Sequence, residues 1–336
     1  MSTGLRRSGS PPPTTPIRLG VLGCADIAWR RTLPAVRAVD GIELVAVASR
    51  DPHKAQTFAT RFGCSATTGY DALLARDDID AVYVPLPAML HAAWVERALA
   101  AGKHVLAEKP LSADHATTVR LLELARSTGR VLMENFMFPH HSQLARIGEL
   151  RGSLGALRSF SSAFTIPPKP ADDIRYLPAV GGGALLDVGV YPLRAALHFL
   201  GLDLDVAGAV LRVDKHRGAV LSGSVLLHTA EGVPAHITFG MEHAYRADYV
   251  FVGTDGTLSA ERVFTPPATY RPVALLTKDG RTEEVTLAAD DQVANTVRRF
   301  ADAVAGRPVG RGHPETVHLA RLVGQIERQA KTTFVP

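Results

Sequence analysis

The sequence predicts an α/β protein in two parts: a parallel sheet flanked by helices, then an α+β unit built on a large, mostly antiparallel open sheet. Three observations carry this expectation. Up to about Phe138, short apolar runs alternate with helix-like stretches of roughly ten residues or more. Beyond Pro139, long stretches of two-residue periodicity are separated by short turns. The chain has 336 residues, 46% hydrophobic and 21% charged, which suits two units with separate cores.

Taken in order, Ile17–Leu22 reads as a buried strand and Asp26–Val39 as a helix that Pro34 should kink. Ile42–Ser49 is the second strand, followed by a helix over Pro52–Phe62. Ile79–Val84 is the third, leading to a helix over His91–Ala101 ended by Gly102. Val105–Ala107 is the fourth strand, Ala113–Ser127 a helix ended near Gly129, and Val131–Phe136 a fifth strand. Helices between strands imply right-handed crossovers and a parallel sheet.

In the second part, Ala156–Thr165, Ala207–Asp214, Ala219–Thr229, Val233–Glu242, Tyr249–Val252, Thr257–Val263, Val273–Thr277 and Glu283–Leu287 read as strands. Asp255-Gly256 and Asp279-Gly280 are hairpin signals between them. Helices lie within Ala184–Leu200 and over Gln292–Ala305 and Glu315–Lys331, with Pro314 suited to the first turn of the last. The expected division is a disordered tail over 1–15, a first domain over 16–138 and a second over 139–336.

Composition narrows the function. The formal charge of +4 and pI near 9.2 are mildly basic, but the arginines are scattered and form no like-charge run, so nucleic acid is not an expected partner. Cys24 and Cys64 lack metal-type spacing and read as free thiols of a reducing cytoplasm. No metal-ligand cluster such as HExxH is present, so no metal is expected. No apolar stretch approaches the ~20 residues that span a bilayer. Arg6-Arg7 is not followed by an apolar run, which argues against a secretion signal.

The first strand-to-helix turn, Gly20-Val-Leu-Gly23-Cys24-Ala25-Asp26-Ile27-Ala28, aligns with the G-x-G-x-x-G/A turn of a Rossmann-type dinucleotide site. Gly23 takes the first position, Ala25 the second and Ala28 the third. Gly23, Cys24, Ala25, Asp26 and Ile27 are therefore candidate diphosphate-binding residues, with the helix N-terminus supplying N–H groups. At the tip of the second strand, Ser49 and Arg50 stand ahead of Asp51. A hydroxyl and a guanidinium there fit a 2′-phosphate and put NADP(H) ahead of NAD(H); in the other reading Arg50 caps a turn and Asp51 reads the ribose. Pro85-Leu86-Pro87 would frame the nicotinamide half, and His91 opens the next helix, either as a ligand contact or as a structural residue.

Lys109, in Glu108-Lys109-Pro110, lies at the C-terminal edge of the sheet, where open α/β sheets bind ligands. Gly181-Gly182-Gly183 precedes a segment in which Asp187 and Tyr191 share a helical face, with Pro192 set to kink or restart the helix. Alone, this pair reads equally as a helix-start carboxylate and a buried tyrosine with a satisfied hydroxyl. Together with Lys109 it suggests carbonyl–alcohol chemistry, because hydride delivery to a ketone builds negative charge that needs a proton donor and a cation. The lysine is expected to draw the Tyr191 pKa down from its usual ~10, and Asp187 to orient Lys109 or relay protons.

The glycine turn, Glu108-Lys109-Pro110, Glu134-Asn135-Phe136 and Gly181–Tyr191, in that order, resemble the glucose–fructose oxidoreductase/inositol dehydrogenase/rhizopine catabolism (Gfo/Idh/MocA) family over nearly the whole chain after the tail. The resemblance implies an NAD(P)-dependent oxidoreductase. Its active-site lysine and Asp-x-x-x-His/Tyr pair map onto Lys109, Asp187 and Tyr191, with Leu86, Pro87, His91, Glu108 and Lys109 on the cofactor and the Lys109–Pro110 bond cis. Two departures stand out: Ala25 replaces the middle glycine, and tyrosine occupies 191 where inositol-type members carry histidine.

That tyrosine, with Gly23–Arg31 and Glu134–Phe138, is similar to the branch of bacterial 3-ketoreductases acting on nucleotide-linked deoxysugars of antibiotics. This implies NADPH-dependent reduction of the C-3 ketone of a dTDP-linked 6-deoxy keto-sugar. Tyr191 would be the general acid, Lys109 its electrostatic partner, and Asp173, Arg175, Tyr176 and Arg194 the candidate substrate contacts. Rivals are a dehydrogenase of a free sugar or polyol, an NAD-dependent glycosidase, and a non-catalytic dinucleotide-binding regulator. An uncovered face of the second sheet implies a cytoplasmic homodimer or homotetramer.

Overall fold

In the computed structural model, residues 15–308 and 313–336 are described, so the tail expected over 1–15 lies outside the described residues apart from Thr15. Six strands form the first sheet: β1 (Ile17–Leu22), β2 (Ile42–Ser49), β3 (Ser65–Thr68), β4 (Ala81–Val84), β5 (His104–Glu108) and β6 (Leu132–Asn135). Their order is β3-β2-β1-β4-β5-β6, and every pairing is parallel. The chain runs outward to β3 and then returns to β4 beside β1. That reversal opens the crevice in which such sheets bind ligands.

The helices of this unit are α1 (Leu33–Ala38), α2 (Pro52–Phe62), α3 (Tyr70–Leu74), α4 (Ala88–Ala100) and α5 (His115–Ser127). Asp51 caps α2 by accepting from the His53 and Lys54 N–H groups, and Asp114 caps α5 by accepting from Thr117. β3 and α3 were not expected from the sequence, because the strand is a short polar edge and the helix spans little more than a turn.

The expected kink at Pro34 takes a specific form. A π-helical turn at Ala28–Thr32 precedes α1, with the Leu33 N–H donating to Ala28 O. Widening the turn accommodates a residue that has no N–H of its own to donate.

The second part begins with α6 (Gln143–Arg151), also unexpected, and β7 (Leu157–Thr165). A second π-helical turn, Leu185–Gly189, runs into α7 (Val190–Leu200). There follow β8 (Leu204–Asp214), β9 (Val220–Thr229), β10 (Pro234–Gly240), β11 (Arg246–Gly253), β12 (Thr257–Glu261), β13 (Val273–Lys278) and β14 (Arg281–Thr286). The chain ends with α8 (Gln292–Val304), α9 (His313–Gln329) and β15 (Lys331–Val335), the last an edge strand the sequence did not announce.

The nine strands are ordered β14-β13-β12-β11-β7-β10-β9-β8-β15. Among the described residues they pair in parallel only where β10 meets β7 and β15 meets β8. Asp279 and Gly280 both take positive φ, 50° and 72°, as a tight two-residue hairpin requires. One face of the sheet buries Leu221, Val225, Leu227 and Phe239 in a core that α7 and α9 complete. Val210, Leu226 and Leu275 are exposed.

α8 crosses back. Its Val293, Val297, Phe300 and Ala301 join Leu33, Val36 and Phe58 in the core of the first unit. Phe300 is fully buried there, so Phe300→Ala is expected to cost about 3–5 kcal/mol in a urea titration. A loss within about 0.5 kcal/mol, the range of a surface site, would show that α8 does not pack on this core.

Candidate active site

The site is built around the β1–α1 turn. Gly23 has φ 118°, which favours glycine, and a Cβ there would lie 2.7 Å from Leu86 Cδ2, so the leucine would also have to shift. Its N–H donates to Ala48 O at 2.9 Å, turning the chain over the end of β2. The N–H groups of Cys24 and Ala25 meet no acceptor among the described residues, and Asp26 and Ile27 open the first helical turn. Free donors at a helix start fit a diphosphate. The Cys24 and Asp26 side chains take other roles. The thiol is buried, which pushes its pKa up to about 11, and Asp26 pairs with Arg30 at 2.6 Å.

At the tip of β2, Ser49 Oγ accepts from the Asp51 N–H at 3.2 Å. The Asp51 carboxylate is engaged by its own helix, accepting from His53 at 2.9 Å and Lys54 at 3.3 Å. Arg50 is exposed and has no carboxylate partner among the described residues. A guanidinium whose neighbour is the Tyr70 hydroxyl and not a carboxylate, beside a capped aspartate, fits a 2′-phosphate better than two ribose hydroxyls.

Two expected cofactor contacts are placed differently. His91 is 1% exposed, with Nδ1 2.8 Å from Pro110 O and Nε2 2.7 Å from Leu86 O. The neutral ring can donate to one of these two carbonyls, and it sits buried between the Pro85–Pro87 loop and the Lys109–Pro110 turn, whose peptide is cis as expected, in the position of a structural residue. Burial lowers its pKa. Glu108 Oε1 accepts from the Tyr83 hydroxyl and from the Asn135 amide, each at 2.6 Å. Tyr83 also meets Thr32 Oγ1 at 3.0 Å. Burial raises the Glu108 pKa against these hydrogen bonds.

Lys109, from the end of β5, crosses to the second part of the chain. Its Nζ donates to Asp187 O at 2.6 Å and Oδ1 at 3.1 Å, and lies 5.0 Å from the centre of the Tyr191 ring. Burial alone would lower the Lys109 pKa, but Asp187 and then Tyr191 outweigh it and raise it. Burial alone would raise that of Asp187, but Lys109 and Arg175 hold it at about 2. A carboxylate held so low between two cations orients Lys109 and does not relay protons.

The Tyr191 pKa is raised, not drawn down. Burial outweighs Lys109, whose charge sits over the ring and is already balanced by Asp187. Phe136, Phe164 and Phe264 surround the ring at 5.4, 5.0 and 5.6 Å. The hydroxyl makes no hydrogen bond among the described residues, which disposes of the reading as a satisfied core tyrosine. Arg31, from the π-helical turn after the glycine turn, is near enough for its charge to oppose the rise. The sequence marked Arg31 only as part of a motif, and it did not mark Thr32 or Tyr83 at all.

The four expected substrate contacts are engaged within the chain. Asp173 caps the turn Ile174–Tyr176, accepting from Arg175 N–H at 2.9 Å. Arg175 Nε donates to Asp187 Oδ2 at 2.6 Å. Tyr176 is 2% exposed, its hydroxyl accepting from the Lys169 N–H and its ring under Arg217. Arg194 is 5% exposed and paired with Glu315 at 2.8 Å and Glu134 at 3.4 Å. Tyr176 and Arg194 therefore belong to the scaffold. A buried guanidinium requires carboxylates, and these two are supplied from distant parts of the sequence. Among the described residues, no cluster could hold a metal ion and no helix is long and apolar enough to cross a membrane.

Residues 17–136 match the model of the oxidoreductase family with NAD-binding Rossmann fold, and residues 150–259 that of the GFO/IDH/MocA C-terminal domain. The chain is 52% identical over 330 residues to a dTDP-3,4-didehydro-2,6-dideoxy-α-D-glucose 3-reductase of Actinomadura kijaniata, covering 97% of this chain and 99% of that protein. It is 54% identical over 326 residues to the enzyme of the same name from Streptomyces antibioticus, covering 96% and 99%. Among solved structures it is similar to KijD10, a 3-ketoreductase from Actinomadura kijaniata in complex with NADP and TDP-benzene. There the TM-score is 0.94 at 52% identity, covering 96% of this chain and 100% of that one.

If Arg50 reads the 2′-phosphate, Arg50→Ala should weaken NADPH binding about tenfold or more, the worth of a charge-assisted hydrogen bond. NADH binding should stay within about twofold. Fluorescence titration of both dinucleotides checks this, and an equal loss for the two would refute it.

Proposed function

The chain belongs to the Gfo/Idh/MocA oxidoreductase family, and on that premise we propose that it catalyses the NADPH-dependent reduction of the C-3 ketone of a dTDP-linked 6-deoxy keto-sugar, in the biosynthesis of antibiotic deoxysugars. The observation that carries the reading is a tyrosine hydroxyl with no internal partner, beside a lysine held by an ionised carboxylate at the sheet edge.

NADPH, when bound, supplies the hydride. The free N–H groups after Gly23 would hold its diphosphate, Ser49 and Arg50 its 2′-phosphate, and Leu86, Pro87 and Glu108 would border the reacting end. Addition to C-3 leaves negative charge on the ketone oxygen. The Tyr191 hydroxyl gives its proton to that oxygen, and the Lys109 ammonium stabilises the charge on both oxygens during transfer. Asp187 keeps Lys109 in place. The net change is one hydride to carbon and one proton to oxygen, with the tyrosine reprotonated from solvent.

The raised Tyr191 pKa serves this direction, because a general acid must hold its proton until the alkoxide forms. Residues 16–138 would serve as the cofactor domain and 139–336 for substrate and assembly. The exposed Val210, Leu226 and Leu275 support a homodimer or homotetramer, and the two free thiols suit the cytoplasm.

Purified protein should oxidise NADPH with the dTDP-keto-sugar and not with free sugars or polyols; no turnover would refute the assignment. Tyr191→Phe and Lys109→Ala should each lower kcat by about 10²–10⁴-fold, the usual contribution of such groups. Since Tyr191 acts protonated and its pKa is raised, kcat for reduction should stay level through neutral and mildly alkaline pH. It should fall only above about 10. A break near neutrality would show a different acid. Light scattering at micromolar concentration should give a multimer mass, and a monomer would refute the assembly.

A further inference from the structure

We propose that Arg175 is a positioning residue of the active site, holding one oxygen of the Asp187 carboxylate so that the other, with the Asp187 carbonyl, holds the Lys109 ammonium. The inference rests on the ketoreductase reading and assigns Arg175 a role other than substrate contact.

The contact from Arg175 Nε to Asp187 Oδ2 is 2.6 Å, shorter than the 3.1 Å from Lys109 to Oδ1. Lys109 therefore meets a carboxylate whose orientation is already set from its other side. Arg175 is itself fixed. Its Nη1 donates to both oxygens of Asp173, at 3.1 and 3.2 Å, and its N–H donates to Asp173 Oδ1. Its carbonyl accepts from the Gly183 N–H at 2.8 Å. A Cβ on Gly182 would lie 2.5 Å from Ile174 O and 2.9 Å from Arg175 O, so the turn bearing Arg175 lies directly against the glycine run that leads into Asp187.

The geometry gives the guanidinium a task that a ligand would interrupt. Asp187 stands in a π-helical turn, whose hydrogen bonds span one residue more than those of an α-helix, and its carboxylate is held there by Arg175 and Lys109. With Arg175 removed, Oδ2 loses its donor and the carboxylate can rotate away from Lys109. The four side chains Asp173, Arg175, Asp187 and Lys109 form a chain of alternating charge from the loop to the reacting end. The other charged groups acting on Tyr191 from the first domain are Glu108, which adds to the rise in its pKa, and Arg31, which opposes it; both lie outside this chain.

The test compares wild type with Arg175→Lys, Arg175→Ala and Asp173→Asn in steady-state kinetics with the dTDP-keto-sugar across pH, alongside NADPH titration. The expected result for both Arg175 variants is a loss of kcat of about 10- to 100-fold with KM for the nucleotide sugar nearly unchanged, since slight misplacement of a catalytic group costs that much. Asp173→Asn, which acts on the lysine only through Arg175, should move kcat in the same direction by less. NADPH affinity should not change, which separates misplacement from misfolding. Should Arg175→Ala fail to fold, Arg175→Lys and Asp173→Asn carry the same comparison.

A carboxylate NMR titration of Asp187 needs no substrate, and should show its pKa rising from about 2 in Arg175→Lys. A raised KM with unchanged kcat would mean that Arg175 binds substrate and would overturn the proposal, as would an unmoved Asp187 titration. Wild-type inactivity on the nucleotide sugar would instead refute the functional reading, leaving the NMR result to decide this one.

Discussion

The contact between Lys109 and Asp187 is the constraint around which the rest is arranged. The lysine comes from the edge of the parallel sheet and the carboxylate from a helix start beneath the second sheet, so this one ion pair ties the two parts together at the point of chemistry. Isolated, either charge would be costly to withdraw from water; paired and doubly hydrogen-bonded, both stay ionised. Much of the neighbouring structure keeps the two ends in register. His91 fixes the turn that carries Lys109, and the glycine run with Arg175 fixes the turn that carries Asp187. The pair also explains Tyr191. A lysine already balanced by a carboxylate lends the tyrosine little net charge, so burial decides its pKa.

Two helices lead towards this point, and both begin with a π-helical turn closely followed by a proline. In the first, the turn places Arg31 towards the site and Thr32 against Tyr83; in the second, it carries Asp187 and delivers Tyr191 on the next turn. The wider turn relieves the proline of a hydrogen bond it cannot make, and it re-aims the side chains at the helix start. The prolines were visible in the sequence as expected kinks, but not the form of the irregularity, since the first wide turn packs against α8 and the second against β9 and β10, all distant in sequence.

What was legible followed from periodicity and from short-range chemistry. The alternation of strands and helices, the glycine turn, the placement of Lys109 and the four-residue spacing of Asp187 and Tyr191 are local properties, and each is found where it was expected. β3, α3, α6 and β15 escaped because they are short or polar and hold their place through neighbours. Tyr83 escaped for a different reason. Within an apolar strand it reads as core, and only the fold brings Glu108, Asn135 and Thr32 to its hydroxyl.

The three arginines singled out as anion contacts show why residue type alone could not assign the site. Arg194 is buried between Glu134 and Glu315, and drawing it out to a ligand would leave two carboxylates without their cation, at a cost of about 3–5 kcal/mol for each broken buried pair. Arg50 is exposed at a strand tip whose own carboxylate is capped, so no carboxylate among the described residues competes with a phosphate for it, and its neighbour is the neutral Tyr70 hydroxyl. Arg175 lies between these cases, partly exposed yet held by two aspartates. The carboxylates within reach, many of them far away in sequence, decide which guanidinium is free for a ligand and which serves the scaffold or the lysine.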